Sequence, residues 1–301
     1  MTSADNDRIR LLNILNCGDP FEILTEVKYI ISLIAPDFDY VLLERTHADI
    51  TRLFNGSFPG YRASTTKYHN LEHTNAVFLA QARLTHGLFL KGEAISSRAV
   101  ELGLLAALFH DTGLIQTEDD LIGTGAKYMI GHESRSIGMI EQYLAANGKS
   151  PLDIADCAQM IKCTILHLSP STITFSADEI KLMGHVLGTA DLLAQMAERN
   201  YLEKLALLFM EFQEGGIPGY DSQLDLIQKT ESFYKKVALK RLEGDFGRVG
   251  DQMRDHFRSR WQIDEDLYVR SLKNQIDYLK SLDVHKVEED KEVLKHLRRG
   301  I

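Results

Sequence analysis

The chain has 301 residues, 44% of them hydrophobic and 26% charged. That is enough for one large domain or two small ones with a real core, in the composition of an ordinary globular protein. The formal charge of −9 argues against non-specific nucleic-acid binding, which needs clustered lysine and arginine, but leaves room for a phosphate in one metal-bearing cleft.

Taken in order, the chain reads as helix nearly throughout. Ile9, Leu12 and Leu15 form a helical stripe over residues 5–16. Asp19-Pro20 opens a second helix through Ile23, Val27, Ile30 and Ile31, stopped by Pro36, and a third runs from about Asp39 to Phe54. The turn cluster Phe58-Pro59-Gly60-Tyr61 then divides an N-terminal helical cap, 1–60, from a core of 61–245. In that core one helix runs from His69 to Leu90 and another from Glu93 to Phe109. A polar loop spans Gln116 to Gly125, and Gly131-His132-Glu133-Ser134 opens the next helix. Residues 151–168 form a helix ending at His167, and Ser176 to Glu179 cap one that carries His185 and Asp191. Further helices are expected over 202–212, 222–243, 248–259 and 264–282. Residues 246–301 are C-terminal helices in which Leu267, Leu272, Ile276 and Leu279 either pack on the core or make a homodimer face. There is no internal repeat and no useful strand-period segment, so the expected fold class is all-α.

Three cysteines, Cys17, Cys157 and Cys163, with no paired spacing suggest a reducing compartment. The N-terminal residues MTSADNDRIR have no signal-peptide character, and runs such as Tyr29 to Pro36 are too short to span a membrane. The expectation is a cytoplasmic protein with no membrane partner. His47, His86, His256, His285 and His296 are expected at or near the surface, and His185 in helix packing.

The chemistry concentrates in Tyr68-His69-Asn70-Leu71-Glu72-His73 and in His110-Asp111, which follows an apolar run ending in Leu108-Phe109. His69 and His73, four apart, would share one helix face. With Asp191, in the stretch Gly188-Thr189-Ala190-Asp191-Leu192-Leu193, they make a nitrogen and oxygen set suited to a divalent cation. Asp156 and Asp178 are rivals for the late aspartate.

This His…His-Asp…Asp order resembles the HD-domain metal-dependent phosphohydrolases over roughly residues 61–240, and YHNLEH resembles the YHNxxH motif of class I cyclic-nucleotide phosphodiesterases. The resemblance implies a compact multi-helix domain that hydrolyses a small-molecule phosphoester, with a nucleotide as the expected substrate, by in-line attack of metal-activated hydroxide. It implies a first metal, usually zinc, on His73, His110, Asp111 and Asp191, a second ion, magnesium or manganese, bridged by Asp111, and His69 as general acid. Glu72 reads more naturally as a solvated helix carboxylate than as a partner of His69. His132 and His167 are candidates for the second metal. Glu231 and Phe233, in Lys229-Thr230-Glu231-Ser232-Phe233-Tyr234, fall where the family grips a purine, with a carboxylate in place of its glutamine. Leu114 stands where the family has a further histidine, which favours the competing reading of a non-catalytic metal-binding sensor or partner-binding module. Diiron oxygenases that share this fold use a similar ligand set.

Overall fold

A computed structural model describes residues 18–282 and gives eleven α-helices. The helix expected over 5–16, Cys17, His285, His296 and the charged tail lie outside the described residues. Among those residues there is no β-strand, only an isolated bridge between Tyr61 and Thr117. The fold is all-α.

Helix α1 (Pro20–Ile34) starts where the Asp19 carboxylate accepts from the Phe21 and Glu22 N–H groups and Pro20 presets the first turn. Helix α2 (Val41–Phe54) follows the break at Pro36. Helix α3 (Leu71–Leu90) is buried from His73 to Leu88 except at Ala76, so its amphipathic signal is weak. It is a central helix, and its polar residues Gln81, Arg83 and His86 are buried along with the apolar ones. It packs against α1, against α4 (Ser97–Phe109), and against α7 (Asp178–Met196). Helices α5 (His132–Ala146) and α6 (Pro151–Ile161) pair with each other, and α6 also lies on α4 and α7.

Helix α8 (Tyr201–Glu214) runs beside α9 (Gln223–Phe233), which continues as π-helical turns from Tyr234 to Asp245. Helix α10 (Met253–Trp261) lies against α3, and α11 (Leu267–Ser281) against α7. One contiguous apolar core extends from Ile23 on α1 to Leu279 on α11. The helices on both sides of the 61–245 segment therefore share its core, and Leu267, Leu272, Ile276 and Leu279 are buried within the chain. No described helix is long and apolar enough to cross a membrane.

Several local expectations are corrected. The helix expected to end at His167 stops at Ile161 and passes through a 3-10 turn, Lys162–Thr164, leaving His167 on an exposed loop. Ser176 does not cap α7; its hydroxyl donates to Asp156, which also pairs with Arg98. His47, His86 and His256 are buried, not superficial, at 4%, 2% and 0% exposure. His86 Nδ1 and His256 Nδ1 meet at 3.1 Å across the α3–α10 contact.

Candidate metal centre

The first correction concerns His69. Helix α3 begins at Leu71 because the Asn70 side chain caps it, accepting from the His73 N–H at 3.0 Å. His69 thus precedes the helix, and the two histidines do not share a helix face. They approach from loop and helix, with ring centroids 5.8 Å apart at 90°.

The buried run of α4 delivers His110 as its C-cap residue, with Asp111 immediately after. The turn that follows is locked. Gly113 N–H donates to Ser136 Oγ on α5 at 2.8 Å, and a Cβ at Gly113 would fall 1.9 Å from the His132 carbonyl oxygen. Only a residue without a side chain lets this turn seat so closely on α5. Asp191 comes from the middle of α7, where Gly188 allows equally close packing: a Cβ there would lie 2.3 Å from the Phe246 ring and 2.7 Å from the Cys163 carbonyl oxygen.

His73, His110 and Asp111 form a buried group able to hold a metal ion. His73 Nε2 lies 3.3 Å from His110 Nε2, 3.4 Å from Asp111 Oδ2 and 3.3 Å from Asp191 Oδ1. His110 Nε2 lies 3.3 Å from the same Asp111 oxygen and 3.9 Å from Asp191 Oδ1. These spacings are longer than charge-assisted hydrogen bonds, about 2.7–2.9 Å. They match the separation of about 3.3 Å between ligands that surround one ion tetrahedrally at about 2.0–2.1 Å. Two further observations favour a shared cation. Asp111 Oδ2 is buried with no hydrogen-bond partner. His110 Nδ1–H donates to the Ala107 carbonyl at 2.8 Å, which turns Nε2, the nitrogen that would ligate a metal, toward His73. The donor set therefore fits a divalent metal.

The other Asp111 oxygen reaches a third histidine. His132 Nε2 is 3.4 Å from Asp111 Oδ1, and His132 Nδ1–H donates to the Met129 carbonyl at 2.8 Å. Gly131, at φ +87°, makes the left-handed turn that starts α5 there. Asp111 thus faces two histidines with one oxygen and one with the other. His167 lines the same cavity without any described contact to the cluster.

The field in the cluster favours positive charge. Burial opposes a charge on His110, but the Asp111 carboxylate, with Asp191 behind it, outweighs burial and lifts the imidazole to about 9. His132 is lifted to about 9 in the same way, against burial, by Asp111 and Glu133. Burial likewise opposes ionisation of the two aspartates. His110 nevertheless holds Asp111 well below the usual range, and His73 and His110 hold Asp191 down.

The sequence reading missed Glu211. This buried α8 carboxylate accepts from the Lys67 and Tyr68 N–H groups through Oε1, each at 2.7 Å, and meets His69 Nδ1 through Oε2 at 2.7 Å. The available signal was an acid three residues after Leu208, on the buried side of α8. Glu72 instead reaches Lys204 at 3.1 Å and is half exposed. Asp191 is steadied by Gln195, whose Nε2 donates to Oδ1 at 2.8 Å and whose Oε1 accepts from Tyr68 OH at 3.3 Å.

His69, Asp111, His132, Asp191 and Gln195 border a cavity of about 480 Å³ that reaches Phe233 on α9. Glu231 is absent from its lining and pairs with Lys235 at 2.6 Å and with Lys280 at 3.8 Å. Leu114 is buried beside the Asp111 turn.

Comparison with known proteins gives one finding. A family model described as Npun_R2479-like matches residues 123–246, which include His132, His167, Asp191 and Glu211 but not His73, His110 or Asp111. No curated protein and no solved structure matches the chain.

Proposed function

We propose that this protein is an HD-type, metal-dependent phosphohydrolase that cleaves a small-molecule phosphoester. The observation that carries the reading is His69: it lines the cavity beside the metal-compatible cluster but is bound to Glu211, outside the ligand group. A metal-binding module has no need of such a histidine, whereas a hydrolase needs a proton donor at this place.

His73, His110, Asp111 and Asp191 would hold one ion, suited by donor type to zinc; Asp111 Oδ1 and His132 would contribute to a second, magnesium or manganese. A bound pair of ions supplies Lewis acidity, lowering the pKa of water and neutralising phosphoryl charge. The chain's own residues do the rest. Glu211 fixes His69 through Nδ1, leaving Nε2 to exchange a proton with the cavity. As water oxygen bonds to phosphorus and the ester P–O bond breaks, His69 passes its Nε2 proton to the departing alkoxide. Glu211 keeps the His69 ring oriented for that transfer, and Gln195 keeps Asp191 oriented.

The test is hydrolysis of bis-(p-nitrophenyl) phosphate with added manganese, with elemental analysis of the same samples. Turnover is expected in the wild type and not in Asp111→Asn, which should also lose bound metal. A wild-type protein that holds metal but turns nothing over would instead be a metal-binding module.

A further inference from the structure

Resting on the hydrolase reading above, we infer that the substrate is the single-phosphate ester of an apolar alcohol, its organic half lying against the α8–α9 wall. The cavity lining is mostly apolar away from the metal cluster. Away from the metal cluster its wall is built from Leu205, Leu208, Phe212, Ile217, Leu226 and Phe233, with Phe212 stacked on Tyr220 at 5.5 Å. At the rim, Ile130 is 69% exposed and Leu166 is 47% exposed, so the apolar surface continues to the solvent.

Several of the polar side chains that line the cavity already have work. Thr164 and Thr230 donate their hydroxyl protons to the Ile161 and Leu226 carbonyls at 2.9 and 3.0 Å. The Gln195 amide is taken up by Asp191 and Tyr68. Glu231, which could have read a base edge, pairs with lysines outside the cavity. A nucleobase entering here would exchange water for a mostly apolar surface where the Tyr201 and Tyr220 hydroxyls alone could not answer all its donors and acceptors, a costly burial.

Charge limits the phosphate count. Among the described residues that line the cavity, Lys229 is the one lysine or arginine. It is held by Asp225 at 2.6 Å and by the Gly219 carbonyl at 2.9 Å. Asp111 and Asp191 are taken up by the metal cluster and Glu133 lines the same space, so a second or third phosphate lying away from the cluster would find no lysine or arginine but the already paired Lys229. One phosphate at the metal cluster and an apolar body on the wall satisfy both ends.

The experiment measures binding of methyl-, butyl- and octylphosphonate, AMP and ATP to manganese-loaded protein by calorimetry, at several temperatures. Affinity should rise about fourfold per methylene from methyl to butyl, the ratio that ~0.8 kcal/mol per buried CH₂ corresponds to. The longer chains should show negative heat-capacity changes. Phe233→Ser, and the rim variant Ile130→Ser should the first not fold, should shrink the octyl-to-methyl ratio. Equal affinity for methyl and octyl compounds, or tighter binding of AMP than of butylphosphonate, would overturn the inference. Chain-length-dependent binding without turnover of octyl phosphate would overturn the hydrolase reading and leave the apolar phosphate ester as a ligand of the cavity and not its substrate. Such an ester could be a free molecule or a membrane lipid. Co-sedimentation with phosphatidylcholine vesicles only when they carry phosphatidate identifies the lipid as the source, and its absence identifies the free ester.

Discussion

At the scale of single residues, the proposed metal binding and the proposed catalysis are separable because His69 and the His73-His110-Asp111 cluster have different partners. His69→Ala should lower kcat about 10²–10⁴-fold, the usual range for a general acid, and leave metal content unchanged. Glu211→Gln keeps an oxygen to accept from the Lys67 and Tyr68 N–H groups but removes the carboxylate that orients His69. Its expected signature is a smaller loss confined to kcat, with KM and metal stoichiometry intact. Steady-state kinetics with elemental analysis on both variants decides it: loss of metal in either would make these residues part of the ligand set.

At the scale of elements, what the sequence made legible was local. His110-Asp111 stands out because an apolar run ends there, and the capping asparagine and the glycines beside the ligands are also visible in the string. Glu211 was not legible, since its partners lie more than a hundred residues away and nothing in α8 announces a loop docking on it. His86 and His256 were misread because a histidine in an amphipathic pattern counts as polar until its partner, 170 residues distant, is known. The helix start was misplaced by two residues because Asn70 caps what looks like a continuous YHNLEH helix. Two predictions follow from how elements seat the ligands. Asn70→Ala should cost about 1 kcal/mol of stability through loss of the α3 cap, read by denaturant unfolding. In Gly188→Ala the new methyl meets Phe246 and the Cys163 carbonyl oxygen, and backbone cannot yield as a side-chain end can. Overpacking of this kind should cost about 1–3 kcal/mol and push α7 outward. Because Asp191 lies one turn further along α7, metal affinity should fall together with stability, whereas Asn70→Ala should affect stability first.

At the scale of the whole molecule, buried histidines set the response to acid. Burial holds His47, His86, His185 and His256 below the ordinary histidine value. Arg260 adds to the effect on His86, Lys181 to that on His185, and Arg83, His86 and Arg260 to that on His256. The unfolded chain begins to take up these protons near pH 6.5 and the fold refuses them, so stability falls as pH drops below 6.5. Each fully neutral histidine contributes up to about 1.4 kcal/mol per pH unit. His110 and His132, raised to about 9, act in a different window: their contribution is complete below 6.5 and is lost as pH rises through 9. Burial pushes Asp266 up to about 6 and raises Glu198, so these two carboxyls oppose the histidines as pH falls. The net slope in chelator-treated protein between pH 6.5 and 5.5 should therefore be a loss of stability smaller than four histidines alone would produce. His256→Gln isolates one contributor. It cannot take a charge, so although it should be less stable than the wild type at pH 7.5, its stability should fall less steeply, by up to about 1.4 kcal/mol per unit. Urea unfolding of both proteins at pH 7.5, 6.5 and 5.5 measures the difference. Parallel slopes would mean that His256 takes up its proton inside the fold, with His86 or Arg83 moving to admit it.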